Sequence, residues 1–216
     1  MEQTLKEIAE AVIKGKAPIV ENLVRSCLDQ GVNPIEIMDK GLIAGMSVVG
    51  GKFKADEMYL PEVMIAARAM NAGLAVLDPV LGSHDAASKG KIILATVNGD
   101  LHDVGKNMVS MMFRGAGYKV VDLGVNVPEE KIVQAIRDEK PDVLALSALL
   151  TMTLPNLKTA LEALEKAGLR KSVIAMVGGA PVTQKFADDI GADGYALDAA
   201  SAVERAAELR AGRRSS

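Results

Sequence analysis

One cysteine, Cys27, is present, so no intrachain disulfide can form. A lone thiol also excludes a CxxC zinc site, a thiolate-held iron–sulfur cluster and a disulfide scaffold. Only two histidines occur, His84 and His102, so an HExxH zinc site cannot be built. Any imidazole chemistry must use one of those two. Aromatic residues are scarce, three Tyr, three Phe and no Trp, which argues against a stacking platform for single-stranded nucleic acid. A net charge of -3 provides no basic field for phosphate backbones or anionic membranes. No unbroken apolar run reaches the roughly 18 residues of a membrane span. The amphipathic start, interrupted by Glu2, Lys6, Glu7 and Glu10, lacks the basic-then-apolar order of a secretory signal. These absences lead to the expectation of a soluble, cytoplasmic chain that touches neither nucleic acid nor membrane. Hydrophobic residues at 49% and charged residues at 25% match an ordinary globular protein.

The 216 residues divide by periodicity near Gly82. Before it the apolar spacing is helical throughout. Leu5, Ile8, Ala9, Val12 and Ile13 mark a first helix. Pro18 opens a second, which stops at Gly31. Asn33-Pro34 is a cap-and-start signal for a third helix that runs to about Gly50. A fourth spans about Leu60 to Leu81. An all-α four-helix bundle over residues 1–82 is expected. A small, polar stretch at 83–90 reads as a linker, with His84 solvated in it. Residues 91–216 then alternate. Strands are expected at Lys91–Val97, Tyr118–Leu123, Asp142–Ser147, Ser172–Val177 and Asp193–Ala196. Helices are expected at Gly105–Gly117, Pro128–Glu139, Leu154–Ala167, Thr183–Ile190 and Ala199–Ala211. Such alternation predicts an α/β, Rossmann-like, doubly wound parallel sheet of flavodoxin-like order 2-1-3-4-5, with ligands beyond the carboxyl ends of the strands.

Three loops should gather at that edge: Asn98 to Gly105, Ser147 to Thr153, and Gly178 to Pro181. A GxGxxG fingerprint is absent, and Asp100 and Asp103 would repel a pyrophosphate. A P-loop is absent too. A phosphorylatable receiver would need an Asp where Ser147 stands. Asp100 instead lies two residues before His102, where a carboxylate can accept the imidazole N–H and leave the other nitrogen free for a metal. One histidine supplies one ligand, so such a metal must bring its other ligands in a macrocycle. The alternative is a capped loop histidine.

The spacing Asp100-x-His102-x-x-Gly105, then 41 residues to Ser147-x-Leu149, then 28 residues to Gly178-Gly179, resembles the cobalamin-binding signature. The segments GDLHDVGKN, VVDLGVNVP and GGAP look like the methyltransferase branch, that of methionine synthase and the free-standing corrinoid methyl carriers. In the helical half, GLIAGMSVVGGKF and YLPEVMIAARAM resemble the cap domain of that branch. The resemblance covers essentially the whole chain.

It implies His102 as the lower axial ligand of cobalt, displacing the cofactor's own base, with Asp100 and Thr153 as a proton relay behind it. It implies Ser147, Leu149 and Thr151 around the displaced base, and Gly178, Gly179 and Ala180 along the nucleotide tail. Gly99, Leu101, Asp103, Val104 and Gly105 belong to the cofactor loop, and Tyr195, Ala196 and Asp198 flank the tail. Met58, Tyr59, Leu60 and Val63 resemble an apolar cap, with the linker as its hinge. The implied activity is methyl carriage on cobalamin, as one component of a multi-protein system and not a complete enzyme. The implied partners are a substrate-specific methyltransferase, a second methyltransferase using tetrahydrofolate or a thiol, and a reductive activase. The rival readings are a cobalamin-binding subunit of a mutase, which generally lacks the helical half, and a cobalamin-dependent regulator or sensor, which needs a DNA-binding domain. A flavodoxin-like module without cobalamin is the third.

Overall fold

The computed structural model describes residues 2–81 and 89–214; most of the expected linker, with His84, lies outside them. By contacts the chain divides into two units. One is the helical half as far as Lys89, together with Met111–Gly117; the other is Gly90–Ser110 and everything from Tyr118 onward.

The helical unit contains α1 (Glu2–Ile13), α2 (Ala17–Asp29), α3 (Pro34–Ile37), a π-helical segment (Met38–Ile43), α4 (Ala44–Lys54) and α5 (Leu60–Leu81). Pro18 sits in the first turn of α2. The Asn33 side chain accepts the Ile35 N–H at 2.9 Å, capping α3. The third helix differs from expectation. It is three segments and continues to Lys54, because a π turn leaves the apolar spacing nearly intact while changing the backbone. Gly41 and Gly45 face α1 there; a Cβ on Gly45 would lie 2.6 Å from the Ala9 carbonyl oxygen. The close approach of α1 and α4 therefore depends on a missing side chain.

By length and mean hydropathy (1.3), Leu60–Leu77 of α5 is apolar enough to cross a membrane. Glu62 and Arg68 interrupt it, and Val63, Ala66, Ala67, Met70 and Leu77 are buried. That stripe is the pattern of a core helix. Cys27 is buried too, and burial pushes its thiol up, away from the reactive thiolate.

The second unit carries β1 (Lys91–Thr96), β2 (Lys119–Asp122), β3 (Val143–Ser147), β4 (Ile174–Gly178) and β5 (Gly194–Ala196). All pairings are parallel, and the order is β2-β1-β3-β4-β5, as the alternation predicts. The helices are α6 (Val104–Gly115), α7 (Glu129–Glu139), α8 (Leu154–Lys166), α9 (Gln184–Asp189) and α10 (Ala199–Arg214). The division between the two units thus runs through α6.

One sheet face presents Ile93, Ala95, Leu144, Leu146, Ala175 and Val177 to Leu157, Leu161 and Leu164 of α8 in a single buried cluster. Ile92, Leu94, Val143, Ile174 and Met176 are buried on the other face. The apolar runs of β1, β3 and β4 are what burial on both faces requires, and each fully buried Leu or Ile contributes about 1.5–3 kcal/mol. The amino end of the sheet is held by ions. Asp142 accepts the Lys91 N–H at 2.8 Å and the Arg210 guanidinium at 3.0 Å, and Arg170 pairs with Asp193 at 2.8 Å. The carboxyl end is left for the loops.

Candidate functional site

The strand register places Thr96, Ser147, Gly178 and Ala196 side by side at the carboxyl ends of β1, β3, β4 and β5. Nothing in this row is larger than threonine. The Ser147 carbonyl accepts the Val97 N–H at 3.0 Å, while its half-buried hydroxyl makes no hydrogen bond among the described residues. That hydroxyl is available as donor and acceptor.

Gly179 turns the chain at the end of β4 with φ of 126°. A Cβ there would lie 1.9 Å from the Ala148 carbonyl oxygen. Only glycine permits this backbone-to-backbone approach, so the turn needs glycine for its own geometry. Gly178 is looser; a Cβ would meet the Ala196 carbonyl oxygen at 3.2 Å.

The His102 loop follows β1. The Asp100 side chain is fully buried. Its Oδ1 accepts the His102 N–H at 3.0 Å and faces His102 Nδ1 at 2.7 Å. Its Oδ2 accepts the Leu149 N–H at 2.7 Å and the Leu150 N–H at 3.3 Å. The Thr153 hydroxyl lies 2.7 Å from Oδ2 and 2.9 Å from the Leu150 carbonyl oxygen. One hydroxyl has one proton, and the carboxylate is the stronger acceptor. Burial works against the Asp100 charge. The Leu149 N–H, the Thr153 hydroxyl, and the His102 N–H and ring outweigh it and hold the carboxyl well below the usual carboxylate range. An ionised Asp100 can only accept, so the proton between it and His102 sits on Nδ1. In the neutral ring the lone pair is then on Nε2, which has no hydrogen-bond partner among the described residues. The His102 side chain is 48% exposed.

Thr153 is the residue before α8, yet its side chain makes no cap hydrogen bond; its hydroxyl serves Asp100. Thr153→Val keeps the shape and removes that donor, and should lower unfolding free energy by about 1.5–3 kcal/mol. Thr153→Ser should recover most of it in urea melts. Equal stabilities of the two variants would mean that the hydroxyl carries none of the effect.

Other expected residues fall in place unequally. Leu101 and Val104 are 71% and 67% exposed, and Leu149 is 40% exposed. Asp103 Oδ2 accepts from Asn107 at 3.0 Å. Gly105, Thr151 and Ala180 are exposed, and Tyr195 and Ala196 are half-buried. Helix α6 begins at Val104, one residue before Gly105. Asp198, expected beside the tail, is exposed, and its Oδ1 accepts the Ser201 N–H at 2.8 Å, capping α10. The Asp-x-x-Ser spacing was the available signal. Of the suggested cap, Tyr59 is 72% exposed but Val63 only 3%, so Val63 is a core residue.

Sequence reasoning passed over Lys106. It lies in the first turn of α6, where a cation opposes the helix dipole. Its ammonium is nonetheless buried, paired with Asp122 at the end of β2 and bonded to Asn107 at 2.9 Å. It also passed over Asn126 and Asn156, which bond to the His102 loop from either side, and the exposed Met152 and Leu197. Among the described residues no three His, Cys, Asp or Glu side chains cluster so as to hold a metal ion.

Comparison with known proteins gives two matches to a B12 binding domain, over residues 90–205 and over residues 4–78. The chain is 44% identical over 211 residues to dimethylamine corrinoid protein 1 of Methanosarcina acetivorans, covering 97% of this chain and 99% of that one. It is 43% identical over 208 residues to a corrinoid protein of Desulfitobacterium hafniense, covering 95% and 96%. In structure it is similar to a chain of the methanol:cobalamin methyltransferase complex of Methanosarcina barkeri, with a TM-score of 0.89, 33% identity, and coverage of 97% of this chain and 80% of that one.

Proposed function

Since the chain belongs to the B12-binding family of corrinoid proteins, we propose that it is the methyl-carrying component of a methylamine- or methanol-type methyltransferase system, with His102 on the cobalt in place of the cofactor's own base. The single observation that carries the ligand assignment is an Nε2 without a partner among the described residues, on an imidazole whose Nδ1 is locked onto a buried, ionised Asp100. The residues present fit a corrinoid. One nitrogen donor is offered, the strand ends carry a row of small side chains, and Leu101, Val104 and Leu149 expose apolar surface around them.

When bound, the corrinoid supplies the cobalt that accepts and yields the methyl group. The protein's own work is to bind and to orient. Asp100 fixes the tautomer and the plane of His102. Thr153 completes the coordination of Asp100 by hydrogen bonds, and the Nδ1 proton is held on the continuous path from His102 through Asp100 to Thr153. Ser147 offers its hydroxyl to the displaced base, and Gly178, with no side chain in the strand-end row, leaves the backbone open to the tail.

A substrate-specific methyltransferase loads the carrier, and a second one, with tetrahydrofolate or a thiol as acceptor, unloads it; an activase restores the reduced state. The match of residues 4–78, together with near full-length relatives, favours this reading over a mutase subunit or a regulator. The test is reconstitution with cobalamin, then incubation with a dimethylamine or methanol methyltransferase and a labelled methyl donor. Corrin absorption, about one cobalt per chain and donor-dependent label on the protein are expected. A colourless product would defeat the whole reading. A coloured product without label under any donor would defeat carriage alone.

A further inference from the structure

Asn126 lies outside the motif that carries His102, 24 residues on in the β2–α7 loop. It is exposed, and its φ is 51°. Few non-glycine residues adopt that conformation, and asparagine is among those that tolerate it. Its amide Oδ1 accepts the Gly99 N–H at 2.7 Å, and its own N–H donates to the Asp100 carbonyl at 2.8 Å. The chain on both sides of it is fastened to the end of β1. The Thr96 N–H donates to the Gly124 carbonyl at 3.0 Å, and the Val127 N–H to the Thr96 carbonyl at 3.0 Å. The left-handed residue is therefore the tip of a braced loop, and the tip reaches the Asn98–Gly99 and Asp100–Leu101 peptide units, one on either side of the Gly99–Asp100 pair. On the opposite side, Asn156 Nδ2 donates to the Asn98 carbonyl at 2.7 Å. The Asp100 carboxylate holds the imidazole; nothing in that pairing fixes where the backbone of Asp100 stands.

We propose that Asn126 is a positioning residue for the axial ligand, clamping the Gly99–Asp100 backbone so that His102 Nε2 is presented to cobalt in one pose. This rests on His102 being the cobalt ligand. A mere turn residue would need the left-handed conformation and nothing else. A clamp also needs the Oδ1 acceptor. Asn126→Gly supplies the conformation without the acceptor, and Asn126→Asp keeps both.

The experiment uses the full chain, labelled with the heavier nitrogen isotope so that a protein nitrogen splits the Co(II) signal differently from the cofactor's own base, and loaded with cobalamin. It reads cobalamin affinity by absorbance titration, nitrogen splitting in the Co(II) electron-paramagnetic-resonance spectrum, and melting of the cofactor-free forms. Asn126→Gly should weaken cobalamin about 10-fold, the low end of the effect of removing a group behind a metal ligand, and should give a mixture of His-on and His-off spectra. Its cofactor-free melting should be no lower than the parent's, since glycine relieves the left-handed backbone. Asn126→Asp should remain His-on, with affinity within about threefold of the parent, short of the about 10-fold loss set by removing the acceptor. Parent-like affinity and spectrum in Asn126→Gly would overturn the clamp, and so would equal losses in both variants. His102→Ala runs beside them. If it keeps the parent's nitrogen splitting, the ligand assignment fails and the clamp fails with it. If it loses the splitting while Asn126→Gly does not, only the clamp fails.

Discussion

In His102→Ala, cobalamin is expected to lose nitrogen coordination from the protein altogether and to bind at least about 100-fold more weakly, a loss of about 2.7 kcal/mol. The loss should exceed the 10–100-fold typical of groups behind a ligand, because the ligand itself is gone. No second histidine lies among the described residues, so nothing at the strand ends can replace it. The fold should survive. The side chain is 48% exposed, and the His102 backbone N–H, the Leu149 N–H and the Thr153 hydroxyl still bond Asp100. Unfolding free energy of the cofactor-free variant should fall by no more than about 1.5–3 kcal/mol, as for Thr153→Val, since one hydrogen bond to a buried charge is lost. Added imidazole should restore part of the nitrogen signal by occupying the space that the ring leaves. In protein labelled with the heavier nitrogen isotope, whose splitting differs from that of the cofactor's own base, an unaltered splitting would rule out His102 as the ligand.

Gly179→Ala is expected to be the most damaging single methyl group in the sheet unit. Both backbone and space oppose it: φ is 126°, and the added carbon would sit 1.9 Å from the Ala148 oxygen and 2.9 Å from its carbonyl carbon. Neither neighbour is a side chain that can swing away. The β3–α8 loop must shift, and Leu149, next to Ala148, is the residue whose N–H holds Asp100 at 2.7 Å. A loss of about 3 kcal/mol or more is expected. That corresponds to a fall in melting temperature of about 6–12 °C for a chain of this size, accompanied by weaker cobalamin binding. Gly178→Ala is the contrast. It carries no positive φ, and its new carbon would meet one carbonyl oxygen at 3.2 Å. Stability should fall by about 1 kcal/mol or less, while the methyl group intrudes on the strand-end row and weakens binding. If the two alanines melt alike, the steric argument at Gly179 is wrong.

The order of the sheet was legible because buried parallel strands leave an unambiguous mark: runs such as KIILAT and VLALS separated by amphipathic helices. The meeting of Asp100 and Thr153 was legible only through the resemblance, since 53 residues separate them and no local pattern joins them. The π segment at Met38–Ile43 was not legible, because its apolar positions still suit an ordinary helix. Asn126 and Asn156 escaped for a related reason. A polar residue in a loop or on a helix surface looks solvated until the fold brings a backbone group against it. Lys106 is the sharper case. As a lysine in a first helical turn it violates a local rule, and such violations can be flagged in a sequence before their partner, here Asp122, is known.

The sheet has two rims, β2 and β5, of four and three residues. A rim is where a foreign strand can join, since its outward amides and carbonyls have no neighbour. Here the rims give little purchase. β5 is too short to template more than one turn of the ladder, and β2 is bounded by the exposed, charged Lys119 and Asp122. A carrier of the kind proposed, visiting several enzymes in succession, would be crowded repeatedly against other proteins. Rims this blunt would let such meetings be made through side chains and end cleanly, without one sheet growing into another.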